Sequence, residues 1–369
     1  MFIYAGIDEA GYGPFFGPMT VGRCVLRIPK LDHDADPPDL WARLNKAVCK
    51  RLSGRKGRLV VNDSKKLTTK AAGIKHLEMG CLAFASLMHD DPAEVPGDLA
   101  AWLDAMGEES HRSLHGLPWY TMDEVGPWAE LPVSADAGEL AIARNMLRQT
   151  CQRIGVEVAD MGCAVVLEDR FNRMVDATLS KAAVSFTFVA GHLQHIWEKY
   201  GEHRPTVIVD RQSGRMRYRD TLAMNFEACD VSVLSESPER SSYLIRGPGD
   251  LGTSGPGKTT THSATSPPHS ADPNPEPKPP SPQAPKSPEM TVTFQTSAEE
   301  NHMPVALASM IAKYNRELMM ERFKAYFRKH LPDIPPTAGY GSDAKRFWQD
   351  VQPHLQRLKI APHALRRHA

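Results

Sequence analysis

Apolar runs along this chain repeatedly end on carboxylates. Ile3 to Ile7 runs into Asp8-Glu9, Val158 to Leu167 into Glu168-Asp169, and Val207 to Val209 into Asp210. Each run is short and rich in β-branched residues, which predicts a buried strand. Met19 to Ile28 has the same character and reads as the hairpin partner of the first strand; that places the intervening loop at a sheet edge. Further strands are expected at Phe226–Leu234, with Ser235–Ile245 continuing or turning, and at Met290–Phe294, pairing with its neighbour across a gap. Helical spacing marks Asp136–Ile154 through Leu140, Ala143, Met146, Leu147 and Cys151, and a helix is expected from near Pro304 to about His330. Trp41, Leu44, Val48 and Leu52 predict an amphipathic helix within 40–52, and 71–130 reads as helical with breaks at Pro96 and Gly107.

One segment has no such pattern. Residues 247–289 hold 12 of the chain's 30 prolines with almost nothing apolar, so they cannot bury enough surface to offset chain entropy and are read as a disordered insert. Closing the fold across it costs little more than closing a short loop.

At 369 residues and 41% apolar, the chain can build a sizeable core. Lys plus Arg equals Asp plus Glu at 44 each, so no global field announces a nucleic-acid partner, and any basic surface is local. The stretch from 339 supplies one, with six Lys plus Arg against two Asp; a solvated basic terminus is the plainer account of its last ten residues. Six scattered cysteines without Cys-x-x-Cys spacing argue against zinc and fit reduced thiols. No apolar run approaches a membrane span and no signal peptide is visible, so the cytoplasm is the expected location.

The chemistry concentrates in Gly6-Ile7-Asp8-Glu9-Ala10-Gly11-Tyr12-Gly13-Pro14. Adjacent strand residues face opposite ways, so Asp8 and Glu9 reach one ion only if the strand ends or bends there, and Gly11 and Gly13 supply that freedom. Such a loop suits metal or phosphate, although an acidic turn at a strand end is the plainer reading of Asp8-Glu9-Ala10-Gly11 taken alone. Asp210, at the tip of a buried strand, is a rigid candidate ligand. Asp63 or Ser64 reads as a helix cap. Glu168 and Asp169 form a possible competing pair, better read as a solvated strand end. His192 and His195 have chelating spacing but no third ligand nearby, and are read as core or surface residues. Arg215–Arg219 fits a phosphate contact and a solvated helix start equally well. Trp119, Tyr120 and Trp128 are read as anchors of an insertion rather than base-stacking groups.

Four segments in order carry a resemblance: the Gly6–Pro14 motif with Gly17-Pro18, Asp63-Ser64-Lys65-Lys66-Leu67, Val207-Ile208-Val209-Asp210, and Ala308-Ser309-Met310-Ile311-Ala312-Lys313. Together they resemble the type 2 ribonuclease H family, ribonucleases HII and HIII. The resemblance implies one RNase H-like α/β catalytic domain over 1–246 and 290–369, a central mixed sheet flanked by helices, with 29–57 and 90–135 as probable insertions. It implies Asp8, Glu9, Asp210 and, with less support because the family usually has aspartate there, Glu317 as catalytic metal ligands. It also implies Gly11, Tyr12, Gly13, Lys65, Lys66 and Tyr340 as substrate contacts. The resemblance extends to a long helix over Phe171–Tyr200, and the small residues of 306–312 would let their helix approach the sheet.

Oxygen-only ligands select Mg²⁺ or Mn²⁺. The implied activity is two-metal endonucleolytic hydrolysis of the RNA strand of an RNA-DNA hybrid, leaving 5′-phosphate and 3′-hydroxyl ends. The implied partner is that hybrid, with no membrane and no protein partner. Ribonuclease HII usually carries arginine where this chain has Tyr12, so incision at a single ribonucleotide is put in doubt while cleavage of longer hybrids is less affected. Two other readings stay open: a nucleic-acid-binding protein that has lost catalysis, motivated by Tyr12, Glu317 and the insertions, and a metal-dependent nuclease for DNA structures.

Overall fold

The computed structural model describes residues 1–69, 71–88, 95–107, 116–211, 214–248 and 287–368. Its strands are β1 (Phe2–Ala10), β2 (Met19–Ile28), β3 (Val48–Cys49), β4 (Leu59–Val60), β5 (Glu157–Val166), β6 (Thr206–Asp210), β7 (Asp230–Glu236), β8 (Arg240–Arg246) and β9 (Glu289–Gln295). Seven form one sheet in the order β5-β2-β1-β6-β9-β8-β7, and β3 and β4 pair separately. β1 pairs antiparallel with β2 but parallel with β6, and β6 is parallel to β9, so the sheet is mixed as expected. β9 and β8 pair antiparallel across the Pro-rich segment. Of 247–289, where disorder is expected, residues 249–286 lie outside those described, while at the ends Gly247 donates its N–H to the Pro288 carbonyl and Glu289 opens β9.

Alternation along β1 separates two cores. Phe2 and Tyr4 enter one with Cys24, Leu26 and the helix Met303–His330. Ile3, Ala5 and Ile7 enter the other with Val184, Val189 and Leu193 of the helix Lys181–Tyr200. The first helix lies very close to the sheet: a Cβ on Gly6 would stand 2.2 Å from the Pro304 carbonyl carbon, and one on Gly22 would stand 2.3 Å from the Ala308 oxygen. Only glycine leaves room for that approach.

Several expectations change. The helix expected over 40–52 is one turn, Leu40–Arg43, after which β-branched Val48 joins a two-residue parallel ladder with Leu59. The long helix over 171–200 is two, Glu168–Thr178 and Lys181–Tyr200. They break where Leu179 turns left-handed at φ 52° and the Ser180 side chain accepts the Ala183 N–H. The strand expected from Phe226 begins only at Asp230. The loop between β1 and β2 is not at an edge, because β5 covers β2 and the loop lies at the end of interior strands.

The described parts of the 71–135 region are anchored rather than free to stack on bases. Trp119 and Tyr120 are fully buried, and Glu78 accepts the N–H groups of Val133, Ser134 and Ala135 at 2.6–2.7 Å. Among the described residues no helix is long and apolar enough to cross a membrane.

Candidate active site

The β1–β6 register pairs Gly6 with Ile208 and Ile7 with Val209. Asp8 and Asp210 therefore follow as neighbours on one face of adjacent parallel strands, the face covered by the helix Met303–His330. Asp8, 7% exposed, accepts the Glu9 N–H at 2.7 Å, while Asp210 accepts the Ala298 N–H at 3.0 Å. That second contact fixes the turn Ala298–Glu300, which carries Glu299 between β9 and the helix.

A cavity of about 260 Å³ is lined by Asp8, Glu9, Asp210 and Glu299, with Ser309 and Lys313 of the helix. Gly11, Tyr12, Gly13, Asp63, Ser64, Lys65 and Tyr340 complete the lining. Burial, then Asp210 and Glu9, push the Asp8 carboxyl well above the usual range, with the Ser309 hydroxyl opposing. Burial and then Glu299 raise Asp210 likewise. Four carboxylates around one cavity repel unless something positive joins them. One oxygen of Glu299, Oε2, is buried without a hydrogen-bond partner. That orphaned oxygen and an all-carboxylate donor set fit hard divalent cations such as Mg²⁺ or Mn²⁺.

The structure brings together most of the expected residues. Glu317 is the correction. It does not line the cavity; burial works against its charge, but Lys313 and Arg316 more than offset this and hold its carboxyl below the usual range. Glu299 takes the fourth place. The sequence offered it as part of Glu299-Glu300-Asn301-His302, but nothing in strand or helix periodicity distinguishes a carboxylate in a connecting turn. Lys65 lines the cavity, whereas Lys66 does not and pairs with Glu300 at 2.6 Å. Asp63 caps the helix Ser64–Leu67 by accepting the Lys65 N–H at 3.0 Å, and Ser309 Oγ donates to Ser64 Oγ at 3.0 Å, tying that helix to the central one.

Glu168 is a second correction. Far from solvated, it is fully buried, accepts the Gly17 N–H at 3.1 Å and the Tyr120 hydroxyl at 3.0 Å, and burial pushes it up to about 7. A larger cavity, about 520 Å³, lies between β2 and the helix Lys181–Tyr200. Its histidines are committed as core and surface groups: His192 Nε2 meets the Val21 carbonyl at 2.8 Å and His195 Nε2 meets Asp160 at 2.6 Å.

The family model for Ribonuclease HII matches residues 272–353, a segment that includes Glu299 and the Ala308–Lys313 helix. That match spans 82 of the 369 residues, and over it the chain is similar to the ribonuclease HII family. Similar solved structures include the ribonuclease HII of Archaeoglobus fulgidus in complex with PCNA, at 13% identity and a TM-score of 0.38 over 99% of this chain and 94% of that one. The ribonuclease H2 of Pyrococcus horikoshii has 13% identity and a TM-score of 0.36 over 99% and 92%. Bst-RNase HIII in complex with Mn²⁺ has 12% and 0.34 over 94% and 62%. No curated protein matches the sequence. The sheet is mixed, seven-stranded and flanked by helices, the α/β class that the resemblance implied.

Proposed function

We propose that this type 2 ribonuclease H relative is an endonuclease that hydrolyses the RNA strand of RNA-DNA hybrids, using divalent Mg²⁺ or Mn²⁺ held by Asp8, Glu9, Asp210 and Glu299. The observation that carries this is their convergence on the cavity also lined by the Gly11–Gly13 loop and Tyr340. A pair of such ions, when bound, activates a water and stabilises the leaving oxygen of a phosphodiester, leaving 5′-phosphate and 3′-hydroxyl ends.

The chain's own residues do the rest. Asp8 and Asp210, on neighbouring strand ends, hold their carboxylates at fixed spacing. Lys65 offers its ammonium to a backbone phosphate. Tyr340 lies over the Arg316 guanidinium at 5.0 Å to the ring centroid and offers its other face to a sugar. The 2′-hydroxyl distinguishes the RNA strand from DNA.

The binding-protein alternative loses one of its motives, since Glu317 stands outside the carboxylate cluster, and the cluster itself argues for ions. Free cysteines at all six positions suit the reducing cytoplasm.

The deciding experiment incubates two labelled duplexes, one with a single embedded ribonucleotide and one with an RNA run, with Mg²⁺ or Mn²⁺ and with wild type or Asp8→Asn. Cleavage of the run by wild type only is expected. Binding of both duplexes without cleavage under either metal overturns the nuclease reading, and cutting of an all-DNA branched junction instead would favour a DNA-structure nuclease.

A further inference from the structure

The loop from Gly11 to Gly17 is held by two buried guanidiniums, neither of which lines the cavity. Arg367, 1% exposed, donates Nη1 to the carbonyl of Gly11 at 2.5 Å and to that of Gly17 at 3.4 Å, and Nη2 to the carbonyl of Tyr12 at 3.0 Å. Its backbone N–H donates to the Phe15 carbonyl at 2.8 Å, and its guanidinium lies 3.9 Å from the centroid of the Phe171 ring. Arg316 donates Nη2 to the Phe16 carbonyl at 3.0 Å. Glu168 receives the Gly17 N–H.

The consequence follows from peptide geometry. In a trans peptide the carbonyl of one residue and the N–H of the next point opposite ways. A side chain that fixes the carbonyls of Gly11 and Tyr12 therefore fixes the opposite edges of the 11–12 and 12–13 peptides, which belong to the cavity-lining residues Gly11, Tyr12 and Gly13. Gly11 has φ +80°, and a Cβ there would stand 2.6 Å from the Pro18 oxygen, so the loop has one conformation to hold.

Arginine is suited to this and lysine is not, because three carbonyls in different directions need a rigid fork. Packing alone does not explain a buried cation whose Nε has no partner, since an apolar side chain would fill the space without desolvating a charge. Burial, and then Arg316, hold the guanidinium's pKa down to about 10, which leaves it charged at neutral pH.

We propose that Arg367 is a positioning residue for sugar recognition: by gripping the Gly11 and Tyr12 carbonyls it sets the peptide edges presented to a ribose 2′-hydroxyl, so RNA is told from DNA through a side chain that does not touch the substrate. This rests on the hybrid reading of the same cavity.

The test measures the affinity of wild type, Arg367→Ala and Arg367→Lys for an RNA-DNA hybrid and for the same sequence as DNA duplex, by fluorescence anisotropy in Ca²⁺, with cleavage assayed separately in Mn²⁺. Arg367→Ala is expected to lower the hybrid-to-DNA preference by about tenfold, as loss of hydrogen bonds from a charged donor would. Arg367→Lys should recover only part of that preference, and added methylguanidinium should restore it in the alanine variant. An unchanged preference in either variant overturns the proposal, as does an equal loss of affinity for both duplexes. Where Arg367→Ala does not fold, the lysine variant decides by the same ratio. A wild type that binds the hybrid selectively without cutting it removes the nuclease reading alone, and the ratio still judges Arg367. A wild type with no preference for the hybrid overturns this proposal along with the hybrid reading.

Discussion

Two buried acidic groups in this molecule sit in opposite company. Asp160, on β5, is as buried as Asp8, at 7% exposed, but it is surrounded by basic side chains. Arg23 reaches it at 3.0 Å, His195 at 2.6 Å and Lys199 at 3.1 Å. Burial opposes its charge, yet His195, Arg23 and Lys199 overcome it and hold the carboxyl well below its usual range. Asp8 meets Asp210 and Glu9 instead, and its carboxyl is held up. A carboxylate that supports structure is neutralised by the chain itself, whereas one kept for chemistry is left for something from solution to neutralise.

Removing one acid from each cluster should therefore have opposite effects. Asp8→Asn is expected to lower kcat on a hybrid by about a thousandfold, the scale of losing a centre of transition-state charge stabilisation, while raising the melting temperature in chelator, because a repelling charge is gone. Asp160→Asn should leave kcat within about twofold and cost about 3 kcal/mol of stability, the scale for orphaning a buried partner; urea unfolding beside an activity assay measures both. An Asp8 variant that keeps activity, or an Asp160 variant that keeps stability, would dissolve the contrast.

The comparison sharpens at the fourth acid. Glu299→Gln is expected to lower kcat by about a hundredfold, and Glu317→Gln by no more than about threefold, since its carboxylate is already paired with Lys313. Steady-state kinetics on the two variants checks this, and the reverse ranking would return Glu317 to the carboxylate cluster.

Divalent ions should act on one cluster only. At a hundred times its dissociation constant, Mn²⁺ should add about 2.7 kcal/mol to wild type and much less to Asp8→Asn, while Asp160→Asn responds as wild type does. Thermal scans with and without Mn²⁺ give the three values.

The smallest effect is the pH dependence without metal. Asp8 and Asp210 have raised pKa values in the folded state, so between the ordinary carboxylate value and the raised one the folded chain holds more protons than the unfolded chain. Their contribution to stability is greatest in acid and is lost as pH rises through that window. Asp160 has the reverse sign: its contribution is present above the ordinary value of 3.8 and lost as pH falls below it. Unfolding in chelator from pH 5 to 8 should show stability declining with pH in wild type and a flatter profile in Asp8→Asn.

What the sequence made legible follows from range. β2 is bounded residue for residue by its apolar run, whereas β1 outruns its own and stays paired with β2 through Asp8, Glu9 and Ala10; the Asp8-Glu9 and Asp210 sites sit near strand ends where local pattern announces them. Glu299 was harder to find, because its place depends on the Ala298 N–H reaching Asp210 from the far end of β9. Glu317 misled because the resemblance placed a ligand at its position, and nothing local says that Lys313 would claim its charge. Glu168 and Arg367 meet at one loop from positions 199 residues apart, which no short-range pattern records. The false helix at 40–52 shows tertiary pairing overriding a helical repeat, as Val48 finds Leu59.

The contact of Gly6 and Gly22 with the central helix has a consequence for how this protein tolerates change. The separation between sheet and helix is set there by main chain against main chain, at the Pro304 carbonyl and the Ala308 oxygen. Side chains elsewhere in either core can exchange for others of similar volume without altering the distance from Asp8 to Ser309. The sheet can therefore drift in composition around a site whose gauge is two missing methyl groups.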